Sequence, residues 1–223
     1  MDRAVILLSG GMDSTTLLHY TKKRLKVSSV YALSFIYGQK HSRELEMARW
    51  QARFAGVTDY REIDISFFGD LTAGASALTD VSMDVPDLAD LDENQRRQPP
   101  TYVPNRNLVF LSLAAGYAET ISAQDIFYGA QAHDKYGYWD CTADFLDRIN
   151  AVLSLNRESN VIVHAPFMRK RKAEVLKIGM ELGVDYSHTW TCYRGGKVAC
   201  GTCPSCVERA AAFEEVALAD PLG

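Results

Sequence analysis

Apolar and polar positions change their spacing along this chain in a repeating order. The run Ala4-Val5-Ile6-Leu7-Leu8 is continuously apolar and closes on Ser9-Gly10-Gly11, the mark of a strand buried on both faces. Thr15-Thr16-Leu17-Leu18-His19-Tyr20 follows as a helix, with Asp13 or Ser14 as its cap and the basic Lys22-Lys23-Arg24 near its end. Val27 to Phe35 is apolar and β-branched enough for a second strand. Leu45, Ala48, Ala52 and Ala55 then recur at helical spacing within residues 42–55, and Gly56 stops that helix. Residues 60–65 predict a third strand, residues 105–120 a helix bearing Leu108, Leu111, Ala115 and Ala118, and residues 125–128 a fourth strand. A helix over 142–155, a strand over 161–164, a helix over 172–182 capped by Gly183 and a last helix over 207–218 complete the pattern. Strand and helix alternate, so the expected fold class is α/β: a Rossmann-like, doubly wound, mainly parallel sheet with right-handed crossovers.

Two stretches break the rhythm. Residues 66–100 hold Asp80, Asp84, Asp87, Asp90, Asp92, Glu93, Arg96, Arg97 and the Pro99-Pro100 pair without a sustained period. They read as an irregular surface insertion, either a solvated loop or a segment that orders over a ligand or a partner subunit. Residues 186–223 hold four of the five cysteines. The expected organisation is therefore an α/β body over 1–185 and a C-terminal metal-binding segment with its helix over 186–223.

Composition narrows the class. A chain of 223 residues, 47% hydrophobic and 23% charged, fits one large globular domain or a domain with an appendage. The net charge of -4 gives no basic field for direct nucleic-acid binding or for a membrane surface. No apolar stretch approaches the roughly 20 residues of a membrane helix, and Met1-Asp2-Arg3 leads into a core strand rather than a signal peptide. A cytoplasmic location is expected.

The chemistry starts at Ser9-Gly10-Gly11-Met12-Asp13-Ser14. Glycines let backbone amides approach a ligand, and the first turn of the next helix adds its free N–H groups and dipole, so the natural guest is a phosphate or pyrophosphate. Ser9, Ser14 and Thr15 add hydroxyls, and Asp13, which would repel bare phosphate, points to a bridging Mg²⁺. The same residues would serve a tight turn with a capped helix; their place straight after the first strand favours the nucleotide. Near the other end, Cys192, Cys200, Cys203 and Cys206 lie in a turn-rich segment. Four thiolates with two Cys-x-x-Cys steps suit a tetrahedral, closed and therefore structural Zn²⁺; an iron–sulfur cluster is the alternative, and two disulfides fit a cytoplasmic chain poorly. Cys141 is left over and reads as a buried, inert thiol.

The Ser-Gly-Gly-x-Asp-Ser loop resembles that of the N-type ATP pyrophosphatases, the PP-loop superfamily. Together with FIYGQKH, TYVPNRN, GAQAHDKYGYWDC, APFMRKRKAEVL and TWTCYRGGKVACGTCPSC, it resembles the 7-cyano-7-deazaguanine synthases, the QueC family, over nearly the whole chain. That resemblance implies an ATP-dependent ligase acting on 7-carboxy-7-deazaguanine and ammonia. Adenylation would give the carboxylate a leaving group, ammonia would form the amide, and a second adenylation would let AMP leave as the nitrile forms. By position, Leu8, Ser9, Gly10, Gly11, Met12, Asp13, Ser14, Thr15, Thr16, Leu17 and Leu18 would form the ATP loop, with Asp13 on Mg²⁺ and Ser9, Gly10, Gly11 and Ser14 on the pyrophosphate. Arg106 and Lys172 would balance phosphate charge. Asp134, Tyr138 and Asp140 would meet the deazaguanine, a carboxylate accepting its N–H edge and an aromatic ring stacking on its face, with Tyr37, Gln39 and His41 lining the same cleft. Asp140 would otherwise cap the helix starting at Thr142. The resemblance also implies a homodimer.

The sequence departs from the family pattern at Asn105, where glycine is common, and at Lys135, Tyr136 and Trp139 in the substrate loop. Asn still tolerates a left-handed backbone. The loop changes leave a second reading open: a related enzyme of a DNA-modification or defence pathway that stops at the amide or passes the carboxylate to another amine, including one on a protein. A zinc-ribbon interaction module with a relic loop, and a tRNA-thiolating enzyme, are weaker still, given the intact Ser9–Ser14 loop and the acidic balance.

Overall fold

The central strand, β1 (Arg3–Leu7), pairs in parallel with β2 (Ser29–Ile36) on one side and β4 (Asp125–Phe127) on the other in the computed structural model, which describes residues 1–132 and 137–223. β3 (Asp59–Asp64) extends the sheet beyond β2, and β5 (Ile162–His164) beyond β4. Among the described residues the sheet has five strands in the order β3-β2-β1-β4-β5, all parallel. Parallel strands covered on both faces need no alternation, which is why Ala4 to Leu8 reads as an unbroken apolar run.

The two faces divide cleanly. Val5, Leu33, Phe35 and Ile126 point to one side, where α5 (Arg106–Thr120) brings Leu111, Ala114, Ala115 and Ala118, and α6 (Ala143–Leu153) brings Phe145 and Ile149. Ala4, Ile6, Ala32 and Phe127 point to the other, against Leu17 and Leu18 of α1 (Met12–His19), Ala48 and Ala52 of α2 (Arg43–Ala55) and Val175 of α7 (Lys172–Glu181). The expected doubly wound α/β architecture is what forms.

Local details differ from expectation for physical reasons. α1 starts at Met12 with extended Gly11 as its cap and no side-chain capping bond, so neither Asp13 nor Ser14 caps it; the Ser14 hydroxyl is used by Ser9 and the Gly11 carbonyl instead. α1 runs on into a π-helical turn, Tyr20–Arg24. The last helix, α8, spans Pro204–Glu215 rather than 207–218, because Cys203 caps it and Pro204 begins it.

Residues 66–100 contain α3 (Phe67–Leu71), a 3₁₀ turn (Leu88–Asp90) and α4 (Glu93–Arg97), the last closed by an Asp92–Gln95 capping box. Ala77, Leu78, Val85 and Leu91 are buried. Arg194 donates to the Val85 carbonyl (2.8 Å) and to Asp87 (2.6 Å), fastening this segment to the cysteine region. It is not a solvated loop throughout. Among the described residues, no helix is long and apolar enough to cross a membrane.

Candidate active site

The carboxyl ends of β1, β2 and β4 open into one cleft of about 600 Å³, at the point where strand order reverses around β1. The loop leaving β1 is held by its own serines. Ser9 N–H donates to Ser14 Oγ (3.2 Å), the two hydroxyls lie 2.9 Å apart, and Gly11 N–H donates to Ser9 Oγ (3.2 Å). Gly10 adopts φ +86°, and a Cβ there would lie 2.0 Å from the Glu44 carbonyl oxygen and 2.7 Å from Ala48 N. The backbone of α2 is wedged against the loop, and only glycine fits. The Gly10 carbonyl accepts from Trp190 N–H (3.0 Å), so the chain just before the cysteine cluster clamps the loop from the other side.

The first helical hydrogen bond of α1 runs from Thr15 N–H to the Gly11 carbonyl (3.1 Å). The amides of Met12, Asp13 and Ser14 precede it and are left at the mouth of the helix, an arrangement that attracts anions. Of the run Leu8–Leu18, the residues lining the cleft are Leu8, Ser9, Gly11, Met12, Asp13 and Ser14. Gly10 buttresses α2, Thr15 is fully buried, and Leu17 and Leu18 belong to the core. The Thr16 hydroxyl donates to the Met12 carbonyl (2.8 Å) and meets Tyr186 OH (2.7 Å) behind the loop.

Lys172 opens α7 with its ammonium 3.6 Å from Asp13 Oδ2 and 3.1 Å from Glu208 Oε2. Burial pushes the Asp13 carboxyl above its ordinary value while Lys172 pulls it back. Asp13 Oδ1 is buried and has no hydrogen-bond partner among the described residues, an acceptor that fits a cation bridging to phosphate. Arg209, 2% exposed, lines the same end while bonding Asp220, Thr189 Oγ1 (2.7 Å), Thr191 Oγ1 (3.3 Å) and the Tyr186 carbonyl (3.2 Å).

The opposite end is aromatic. Tyr37, Phe110, Tyr138 and Tyr193 line it, and the Arg106 guanidinium lies 5.6 Å over the Tyr37 ring with Nη1 3.4 Å from its hydroxyl. Burial opposes the Arg106 charge, yet Tyr37, Tyr193, Asp140 and Tyr138 around it hold its pKa above the ordinary value. Tyr138 OH pairs with Thr101 Oγ1 at 2.8 Å. Gln39 reaches the cleft, but its amide shapes its own turn, accepting from Tyr37 N–H (2.7 Å) and donating to the Phe35 carbonyl (3.0 Å). His41 lines the cleft with Nδ1 buried and unpartnered among the described residues, and burial lowers its pKa.

Asp140 is nearly inaccessible and is not among the lining residues; its Oδ2 accepts Asn107 N–H (3.2 Å) in the first turn of α5. Thr142 caps α6 itself, accepting from Phe145 N–H, so the capping carboxylate serves a different helix from the one expected. Cys141 lines the cleft and accepts from Asn107 Nδ2 (3.2 Å). Asp134, Lys135 and Tyr136 lie outside the described residues. Asn105, the first departure from the family pattern, sits at φ 57° as the cap of α5, a left-handed position where glycine and asparagine are both at home.

Glu44, Glu208 and Arg209 also line the cleft and lie outside every motif in the sequence, and Tyr193, inside the cysteine motif, lines it without having been given a role. The legible sign was a charge inside an apolar helical stripe: Arg209 shares the buried face of α8 with Ala212 and Phe213. Glu44 gave no such sign, and burial pushes its carboxyl up to about 7 against the pull of Arg106.

The sulfurs of Cys192, Cys200, Cys203 and Cys206 all lie within 4.8 Å of one another, Cys200 and Cys206 at 3.9 Å. A tetrahedral site with metal–sulfur bonds of about 2.3 Å places its sulfurs about 3.8 Å apart, so the thiol set fits zinc. Cys200 N–H and Cys203 N–H point at the sulfurs of Cys192 (3.4 Å) and Cys200 (3.3 Å). Cys203 caps α8, whose Pro204, Ser205, Glu208 and Arg209 wall the cleft; the cluster therefore shapes the site directly.

A parallel α/β sheet with this loop at the end of its central strand defines the chain as a Rossmann-like PP-loop protein. It belongs to the family described as "Queuosine biosynthesis protein QueC", whose profile matches residues 3–217. The chain is 47% identical over 220 residues to a 7-cyano-7-deazaguanine synthase of Caldicellulosiruptor saccharolyticus, covering 99% of this chain and 94% of that protein. It is 45% identical over 228 residues to the enzyme of the same name from Clostridium kluyveri, covering 100% and 97% of the two chains. The one from Nostoc sp. is 44% identical over 226 residues, covering 99% of this chain and 96% of its own.

Proposed function

We infer that this protein is an ATP-dependent carbon–nitrogen ligase that converts 7-carboxy-7-deazaguanine and ammonia to 7-cyano-7-deazaguanine. The observation that carries the chemistry is a single cleft with an anion-binding helix mouth at one end and an aromatic wall with a buried arginine at the other. An acid and ATP placed end to end in it would meet between Gly11 and Arg106. Full-length relatives named for the nitrile synthase favour that product over the amide or a conjugate with another amine.

The amides of Met12, Asp13 and Ser14 and the hydroxyls of Ser9 and Ser14 receive the phosphates of ATP. Asp13, with its unpartnered Oδ1, would hold Mg²⁺, which offsets phosphate charge when bound. Lys172 faces the departing pyrophosphate, and Arg106 orients the acid so that its carboxylate oxygen meets the α-phosphorus. Tyr37, Tyr138 and Tyr193 enclose the deazaguanine ring. Cys192, Cys200, Cys203 and Cys206 hold a structural zinc, which fixes the start of α8. We assign the α/β body to 1–185 and the zinc segment to 186–223, and read the active species as a cytoplasmic homodimer that uses free ammonia.

The test is to supply ATP, Mg²⁺, ammonium and 7-carboxy-7-deazaguanine and follow AMP, pyrophosphate and the mass of the deazaguanine. Nitrile formed with AMP release is the expected result. AMP with amide alone would replace the nitrile reading by the altered-acceptor one, and no AMP from metal-replete protein would refute both.

A further inference from the structure

We propose that Glu44 is the general base of the second half-reaction, taking the nitrogen-bound proton as the adenylated amide becomes the nitrile. The proposal rests on the ligase reading above. In that step the intermediate carries C(=N–H)–O–AMP. Its N–H proton passes to the Glu44 carboxylate, the N–H electron pair becomes the third carbon–nitrogen bond, and the carbon–oxygen bond breaks with its pair leaving on AMP. No redox partner is needed. A proton acceptor at nitrogen is.

Position singles out Glu44. It stands in the first turn of α2, and its own carbonyl is the group against which Gly10 is packed, so it lies at the seam between the phosphate-binding loop and the aromatic end. Its side chain lines the cleft and has no hydrogen bond or ion pair among the described residues. The groups facing it are Arg106 from α5, Tyr37 from the end of β2 and Tyr193 from the cysteine segment, with His41 lining the same cleft just ahead of α2.

The other carboxylates described at the site are engaged. Asp13 and Glu208 are paired with Lys172, and Asp140 bonds the backbone of α5 away from the lining. Tyr37 and Tyr193 are held protonated by burial. With its pKa near 7, Glu44 titrates where a base works best.

The test compares wild type with Glu44→Gln, which keeps the shape, and Glu44→Asp, which keeps the acid. Each full-length protein is given either the carboxylate with ammonium or the amide directly, and AMP, amide and nitrile are quantified across pH. Glu44→Gln is expected to slow amide-to-nitrile conversion about 10²- to 10⁴-fold while AMP and amide still form from the carboxylate. Wild-type kcat/KM on the amide should climb through about pH 7, a limb missing in Glu44→Gln, and Glu44→Asp should recover part of the rate. Nitrile formation by Glu44→Gln at the wild-type rate, or an equal loss in both half-reactions, overturns the proposal. Wild-type protein that makes no AMP refutes the ligase reading itself, and this assignment falls with it.

Discussion

Replacing Arg209 with methionine tests whether the cysteine segment and the nucleotide loop form one mechanical unit. The guanidinium is 2% exposed and approaches both oxygens of Asp220 (3.0 and 2.8 Å), whose side chain is itself only 12% exposed. Methionine fills most of the volume but strands that carboxylate and leaves the hydroxyls of Thr189 and Thr191 without their shared donor. Breaking a buried pair by removing one partner costs about 3–5 kcal/mol, against at most about 1 kcal/mol for exposed pairs such as Arg97–Glu93. For a chain of this size each kcal/mol lowers Tm by about 2–4 °C, so Arg209→Met should melt about 6–20 °C below wild type. Adding Asp220→Asn removes the stranded charge and should return about 2 kcal/mol, a coupling that a double-mutant cycle in urea reads directly. Thr189 and Thr191 flank Trp190, whose N–H holds the Gly10 carbonyl, so KM for ATP should rise as well. A single variant within about 1 kcal/mol of wild type, or a double variant no better than the single, would refute the reasoning.

Three further outcomes follow from the same geometry. Chelating the metal from purified protein, or Cys203→Ser, should release about one zinc per chain by elemental analysis and lower both Tm and ATP affinity, because Cys203 caps the helix that walls the cleft. Asn105→Gly should melt within about 1 kcal/mol of wild type whereas Asn105→Val loses about 1–2 kcal/mol, the cost of a β-branched residue at φ 57°. Glu44 is raised from 4.5 to about 7 in the folded chain, so the native state binds the extra proton and stability falls as pH climbs between those values. Glu44→Gln should match wild type near pH 4.5 and exceed it above pH 7, by no more than about 3 kcal/mol after solvent screening of a half-buried group.

Much of the fold was legible because parallel strands buried on both faces advertise themselves. β1 to β5 fall within two residues of their expected bounds, β1 and β2 on apolar runs and the edge strand β3 without one, and Gly56 and Gly183 mark helix ends with positive φ as read. The helix starts were less legible, since a capping residue competes with other uses of the same side chain. Ser14 is the clearest case: its hydroxyl closes the loop on Ser9 instead of capping α1. Residues 66–100 misled for the opposite reason. Val85 and Leu88 are pinned by Arg194 and by a Leu88 N–H to Thr202 carbonyl bond (3.0 Å), partners more than a hundred residues away, and Ala77 and Leu78 by Pro100 and Lys40, none of which a local period records.

The site divides along the same line. At its phosphate end one loop and one helix mouth supply the backbone amides and the serine hydroxyls, so a short motif can specify them, although Lys172 and Arg209 join that end from α7 and α8. Its other end is assembled from α2, the end of β2, α5, residues 137–141 and the cysteine segment, so each element contributes one to three residues whose roles exist only after folding. Glu44 illustrates the cost of that arrangement. On sequence alone it is an ordinary acidic residue in a first helical turn, where its charge favours the helix dipole. What makes it chemically distinctive is the company brought to it: Gly10 pressed on its carbonyl, Arg106 opposite, and tyrosines that strip away water. A carboxyl kept half-neutral in such a place is a standing loss of stability. At the seam of the cleft that cost is offset if the proton it accepts belongs to the substrate, which is the role proposed for it above.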